Sequence, residues 1–290
     1  MNVYTTYNCN ANCGFCSIKN NAFKSRLDLD FLENELDKHK NLCKNINILG
    51  GEPSILPDDY QDRLISICEE HGNLMPYYIT NLIKISSVIN RVDPIISFDF
   101  TLRHEYRLTI SNMLKLNVDF SISTILTNNL VENIGAEEYL KFIHRFRRCK
   151  RADLVVYFHA IKDAYNYTPR RDKLLRFVEQ VMHDSMVSLA PLQAMKGIIP
   201  IHSNDMADFM AFLPYNKLAI RLQYNNVSPY RVVDNYEEAK RVFYNGILQN
   251  NICKKCKFAN YCWYPNTGDE CHGDYEMMEI FENEAKKIIR

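Results

Sequence analysis

The chain has 290 residues, 47% of them hydrophobic, and its 35 basic residues are balanced by 35 acidic ones. That length suits one large α/β domain or a domain with a small appendage, and the charge balance argues against a protein held to nucleic acid or membrane by bulk electrostatics. There is no N-terminal signal pattern and no apolar run near twenty residues, so a cytoplasmic protein that does not span a membrane is expected.

Seven of the ten cysteines fall in two dense groups, 9/13/16 and 253/256/262/271. In a reducing compartment this points to metal rather than to disulfides. At the start of the chain, Val3-Tyr-Thr-Thr-Tyr7 leads into Cys9-Asn-Ala-Asn-Cys13-Gly-Phe-Cys16, a C-x3-C-x2-C spacing. A cube of four irons is usually held by four thiolates, so three leave one iron with an open position for a small chelating ligand. A closed zinc site needs a fourth ligand, and the twenty residues after Cys16 contain neither Cys nor His. On these residues the chain resembles the radical S-adenosylmethionine (SAM) superfamily. The resemblance implies a 4Fe-4S cluster on Cys9, Cys13 and Cys16, on a loop after the first strand of a barrel. It implies that the amine and carboxylate of SAM chelate the open iron, and that an electron from the cluster cleaves SAM to a 5′-deoxyadenosyl radical. Phe15, the aromatic before the third cysteine, is then expected against the adenine.

Further along, Leu29, Leu32, Leu36 and Leu42 recur near helical spacing and predict a helix ending near Cys43. Ile46-Asn-Ile-Leu-Gly50-Gly-Glu-Pro53 reads as a short strand that stops at two glycines. Gly50, Gly51, Glu52 and Pro53 resemble the family's GGEP motif, which binds the SAM amino group. Glycines admit a ligand close to the backbone, and a carboxylate is a suitable acceptor for an ammonium. Tyr60, Leu64 and Ile67 predict a helix that Gly72 can close, followed by strands over 77–81, 95–100, 118–124 and 154–159. Helical patterns lie near 84–91 and over 103–116, 135–149 and 169–187. Six alternating units predict parallel strands, hence a partial (β/α)6 TIM-like barrel open along one side, where a complete barrel has eight units and its site at the C-terminal strand ends.

Polar residues at those strand ends are the candidate pocket wall. Ser97, Asp99 and Thr101 alternate with Ile96, Phe98 and Phe100, so one face of the fourth strand is polar where a structural barrel strand would be apolar on both. The stretch from Ser97 through Asp99 and His104 to Arg107 is similar to a Ser-x-Asp-Gly…His-Asp-x-x-Arg run of peptide- and protein-modifying members, with Phe100 in place of the glycine. Candidate SAM contacts are Ser97, Ser123 and Thr124, together with Asn81 and Arg107. His159 is a candidate substrate-facing residue, with a structural histidine as the alternative.

Short strands are expected around 195–202 and 218–224, and a helix over 236–248. Cys253, Cys256, Cys262 and Cys271 then form C-x2-C-x5-C-x8-C, which suits an auxiliary 4Fe-4S cluster or structural zinc. The pattern resembles a reduced form of the SPASM extension of radical SAM enzymes, and a helix is expected over 275–289. The organisation so predicted is a barrel over 1–190, a connecting region over 191–249 and a small C-terminal metal-binding extension over 250–290. Cys43, Cys68 and Cys149 sit on helical patterns as core thiols. The function the resemblance implies is hydrogen abstraction from a substrate, a peptide or protein side chain first and a nucleotide, modified base or small metabolite as the alternative. A zinc-stabilised binding protein without activity is the reading from another class. The expected partner is an electron donor such as flavodoxin or ferredoxin.

Overall fold

Short apolar runs, most of them followed by an amphipathic stretch, fold as strands joined by return helices. In chain order these are β1 (Asn2–Tyr4), α1 (Leu29–Lys38), β2 (Asn47–Leu49), α2 (Asp58–His71), β3 (Tyr77–Thr80), β4 (Asp93–Ser97), α3 (Tyr106–Lys115), β5 (Phe120–Ile125), α4 (Gly135–His144), β6 (Cys149–Val155) and α5 (Arg171–Val181). There follow β7 (Val187–Ser188), α6 (Ala190–Met195), β8 (Met210–Leu213), β9 (Lys217–Arg221), β10 (Tyr230–Val233), α7 (Tyr236–Gln249) and α8 (Tyr275–Ile288). The structure, a computed structural model, describes residues 1–16, 18, 25–39, 45–72, 75–103, 105–155, 166–196, 210–221, 230–249, 255–258, 261 and 275–288.

Local chemistry sets the helix ends. Asp28 caps α1 by accepting from the Asp30 N–H at 2.9 Å, which satisfies one of the donors a helix start leaves unpaired. The buried stripe of α1 is Leu29, Leu32 and Leu36, each contributing about 1.5–3 kcal/mol of burial. In α2, Asp58 and Asp59 sit in the first turn and His71 in the last, as the helix dipole favours. Gly72 ends it by donating its N–H to the Cys68 carbonyl at 2.8 Å.

The strands form one sheet in the order β10-β9-β8-β1-β2-β3-β4-β5-β6-β7. From β8 through β1 to β7 neighbours are parallel, and β8, β9 and β10 are joined antiparallel. The expected parallel α/β sheet is therefore present, consistent with a partial TIM-like barrel, and it is longer than six strands. Residues expected to be a mere connecting region supply β8 to β10. All four residues of β8 are buried, and so short an apolar run has no periodicity that separates a central strand from core helix.

Two strand boundaries differ from expectation, and the first is that β4 ends at Ser97, so that Asp99 and Thr101 lie in the turn beyond it rather than on a polar strand face. The sixth strand was expected over 154–159, but β6 begins at Cys149, inside the stretch expected to be helical. Lys150 and Arg151 look helical in sequence, yet they lie at the strand's solvent end beside Asp93 (3.4 Å) and Asp153 (2.9 Å). Cys149 is a buried strand residue rather than a helical one; Cys43 lies outside the described residues. The helix expected over 275–289 is α8, and its Met277, Met278 and Phe281 belong to the main core. Among the described residues no helix is long and apolar enough to cross a membrane.

Candidate active site

The exits of β1 and β2 are zipped together beyond the strands themselves. The Gly51 N–H donates to the Thr6 carbonyl at 2.7 Å, and the Glu52 N–H to the Asn8 carbonyl at 2.8 Å. A Cβ on Gly50 would lie 2.4 Å from the Thr6 oxygen, and one on Gly51 would lie 2.1 Å from the Asn8 oxygen. The two glycines are thus required by chain-on-chain approach, which the ligand-approach reading of the sequence did not foresee. The consequence is that the chain entering the cysteine loop is pinned beside Glu52, and both line one cleft.

Glu52 is 1% exposed. Its Oε1 accepts from the Ser54 N–H at 3.1 Å and the Thr80 hydroxyl at 2.7 Å, and its Oε2 from the Asn81 N–H at 2.7 Å. Burial pushes the carboxyl above its ordinary range, and these donors pull it back in part. Three donors occupy three of about four lone-pair directions on a carboxylate. Pro53 opens a short 3₁₀ turn behind Glu52, where it lacks only an N–H that the turn does not need; it is buried and not part of the cleft lining.

Cys9, Cys13, Cys16, Phe15, Gly50, Gly51, Glu52, Asn81 and Ser97 all line one cleft of about 260 Å³. The three thiols are free; Cys9 is exposed and Cys13 buried. The Cys9 sulfur accepts from the Ala11 N–H at 3.3 Å and the Asn81 amide at 3.6 Å, and burial raises the Cys9 and Cys13 thiols. Asn81 also donates to Asn10 at 2.8 Å, and its carbonyl accepts from Thr109 at 2.8 Å. It therefore ties the cysteine loop to β3 and α3.

Besides Pro53, three expected residues do not line the cleft. Thr124 sits on the opposite face of β5, buried beside Tyr139 of α4, because alternate strand residues face opposite sides. Arg107 lies on α3 with its guanidinium over the Tyr106 ring at 5.8 Å, outside the cleft lining. Ser123 is paired with Ser97 in register and so shares its face, but does not line the cleft. The cation at the cleft is Arg103, one helical turn earlier in the chain, which sequence reasoning missed. The signal that could have found it is the spacing of four from Asp99 to Arg103, an ion pair of 2.7 Å. His104, His159, Cys253, Cys262 and Cys271 lie outside the described residues.

A family model described as the radical SAM superfamily matches residues 3–167. The chain belongs to the radical SAM superfamily. It is accordingly an enzyme, and the family implies a 4Fe-4S cluster, SAM and a source of electrons. Among solved structures, "Native anSMEcpe with bound AdoMet and Cp18Cys peptide" is similar at TM-score 0.68 and 15% identity, covering 99% of this chain and 98% of that one. SuiB of Streptococcus suis bound to S-adenosylmethionine is similar at TM-score 0.59 and 17% identity, covering 90% and 71%, and SuiB bound to precursor peptide SuiA at 0.59 and 17%, covering 94% and 75%. No curated protein matches the sequence.

The residues present fit the groups a radical SAM enzyme carries. The donor set at the cleft is three thiols, Cys9, Cys13 and Cys16, with no disulfide among them. A cube takes its thiolates on different irons, so three thiols lining one cleft suit it. Of the C-terminal cysteines only Cys256 is described; it is partly buried and packs against the main core.

Proposed function

We propose that this radical SAM enzyme binds its cluster through Cys9, Cys13 and Cys16, holds SAM in the cleft above Glu52, and abstracts hydrogen from a peptide or protein side chain. The observation that carries the site is the convergence of the three thiols, Phe15 and the Glu52 carboxylate on one cleft at the ends of parallel strands. When bound, the cluster supplies the electron that cleaves SAM and an iron with an open position. The chain's own residues orient and shield. Glu52 is fixed by three donors, with lone-pair capacity left for an ammonium, while Phe15 offers an apolar ring and Asn81 braces the cysteine loop. Ser97 and Ser123 line the same sheet face, whereas Thr124 and Arg107, outside the cleft, are not assigned a contact with SAM.

The peptide substrate is favoured by the two similar folds, whose solved structures are described with a Cp18Cys peptide and with a precursor peptide. The Asp99-to-Arg107 stretch leans the same way. We further propose that Cys253, Cys256, Cys262 and Cys271 hold an auxiliary 4Fe-4S cluster in a reduced SPASM-like module. A flavodoxin or ferredoxin would supply electrons in the cytoplasm. The test is mass spectrometry of candidate peptides incubated anaerobically with enzyme, SAM and reductant, with 5′-deoxyadenosine measured beside them. Wild type should form 5′-deoxyadenosine, and the Cys9/Cys13/Cys16→Ala variant should form none. Reductive cleavage by that variant would sink the site, and substrate-stimulated cleavage confined to nucleotides or small metabolites would sink the peptide assignment.

A further inference from the structure

We propose that Arg103 is a positioning residue that tunes the cluster through Cys13, its locked guanidinium donating to the Cys13 sulfur and making the cluster easier to reduce. This rests on the reading of Cys9, Cys13 and Cys16 as the cluster's ligands. The guanidinium is held on three sides. Asp99 Oδ2 accepts from Nε at 2.8 Å and from Nη2 at 2.7 Å, and Asp99 Oδ1 is itself anchored by the Ile125 N–H of β5 at 3.0 Å. The Phe15 ring lies 5.5 Å away, a cation–π distance. With two nitrogens committed to Asp99, Nη1 is directed to Cys13 Sγ at 3.6 Å.

The charge distribution around the loop is lopsided. Arg103 is the only cation among the described residues lining the cleft, and it touches Cys13, whereas Cys9 receives only the neutral donors Ala11 and Asn81. Reduction adds a negative charge to the cluster. Hydrogen bonds to the sulfurs and local net charge set iron–sulfur potentials, and a fixed cation in a poorly screened site acts strongly. Asp99 offsets this only in part, because its bonded oxygen faces Nε and Nη2 while Nη1, the nearer charge, faces the sulfur. An arginine guanidinium keeps its proton in proteins, so the charge beside Cys13 is permanent. A lysine could not reproduce the arrangement, since its single ammonium lacks the fork that grips Asp99 and still reaches Cys13.

The experiment compares full-length wild type with Arg103→Met and with Arg103→Met/Asp99→Asn, the double variant guarding against misfolding from a buried carboxylate left unpaired. Iron content, SAM affinity and anaerobic redox titration are measured, the relevant cluster being the one whose electron paramagnetic resonance signal changes on adding SAM. The expected result is iron loading as in wild type with a lower midpoint in Arg103→Met and a smaller fall in the double variant, which loses the sulfur's hydrogen bond and also the opposing Asp99 charge. At a fixed poise the reduced-to-oxidised ratio should fall about tenfold, which is about 59 mV for a one-electron couple. An unchanged midpoint in a loaded variant overturns the proposal, and if SAM affinity falls instead, Arg103 belongs to SAM recognition. Loss of iron from both variants would make the residue a loading determinant and also overturn tuning. Iron-free wild type would refute the cluster reading itself.

Discussion

Phe100 holds its backbone at φ +44°, in the left-handed region that costs a non-glycine residue about 1–2 kcal/mol. The ring offsets that strain by packing 4.9 Å from Phe98, 4.9 Å from Phe142 and 6.3 Å from Tyr139. The sequence showed a phenylalanine where the resembling motif has glycine, and the structure explains both choices. Replacing the ring should therefore give an inverted order of stability: Phe100→Gly more stable than Phe100→Ala by about 1 kcal/mol, because only glycine relieves the backbone. Urea unfolding of the two variants decides it, and equal midpoints would deny the strain. At Glu52 the expected outcome is functional. A charge-assisted hydrogen bond to an ammonium is worth roughly 1.5–3 kcal/mol, so Glu52→Gln should weaken SAM binding about tenfold or more while iron content is unchanged. Calorimetric SAM titration returning the wild-type affinity would remove Glu52 from the cofactor site. The cysteines and Glu52 were legible because each stands in a short local motif. Arg103 was not, because which of several nearby cations reaches the cleft depends on the turn over Phe100–Leu102.

The element most misjudged from sequence was β6. Its first residues carry charge that reads as the continuation of α4, and only pairing with β5, through a register irregularity between Phe120 and Ser121, makes them strand. That placement buries Cys149, and burial pushes its thiol up to about 11. The folded protein then holds this proton more tightly than the unfolded chain, whose thiol ionises near the ordinary value of about 8.5. Stability should be unaffected by this group below that value and should fall as pH rises toward 11, since the unfolded state loses its proton first. Chemical denaturation of wild type and Cys149→Ala across pH 8–11 tests this. The alanine variant is expected to show the shallower decline, and parallel declines would mean that Cys149 titrates normally. By contrast α1 and α2 were readable, since a buried stripe and end residues carry the helical signal within the element.

At the scale of the molecule, α8 inserts Met277, Met278 and Phe281 into the main core and joins Glu284 to His183 at 3.3 Å. Deleting residues 250–290 would therefore disturb the barrel as well as the cysteine module, so the metal question is better put to substitutions. With an auxiliary cube, wild type should carry about eight irons per chain and the Cys253/Cys256/Cys262/Cys271→Ala variant about four. Four irons and one zinc in wild type, by elemental analysis, would favour the structural site. The sequence by itself determined the parallel α/β class, the cysteine loop and the Gly-Gly-Glu turn, because alternation of strand and helix and the spacing of ligands are properties of neighbouring residues. Only the tertiary structure decided that β8 to β10 extend the sheet beside β1, that Gly50 and Gly51 make room for the chain from Thr6 to Asn8, and that Arg103 rather than Arg107 reaches the thiols. Those outcomes turn on contacts between segments distant in the chain, and the energy that selects them resides in the pair of surfaces rather than in either segment alone.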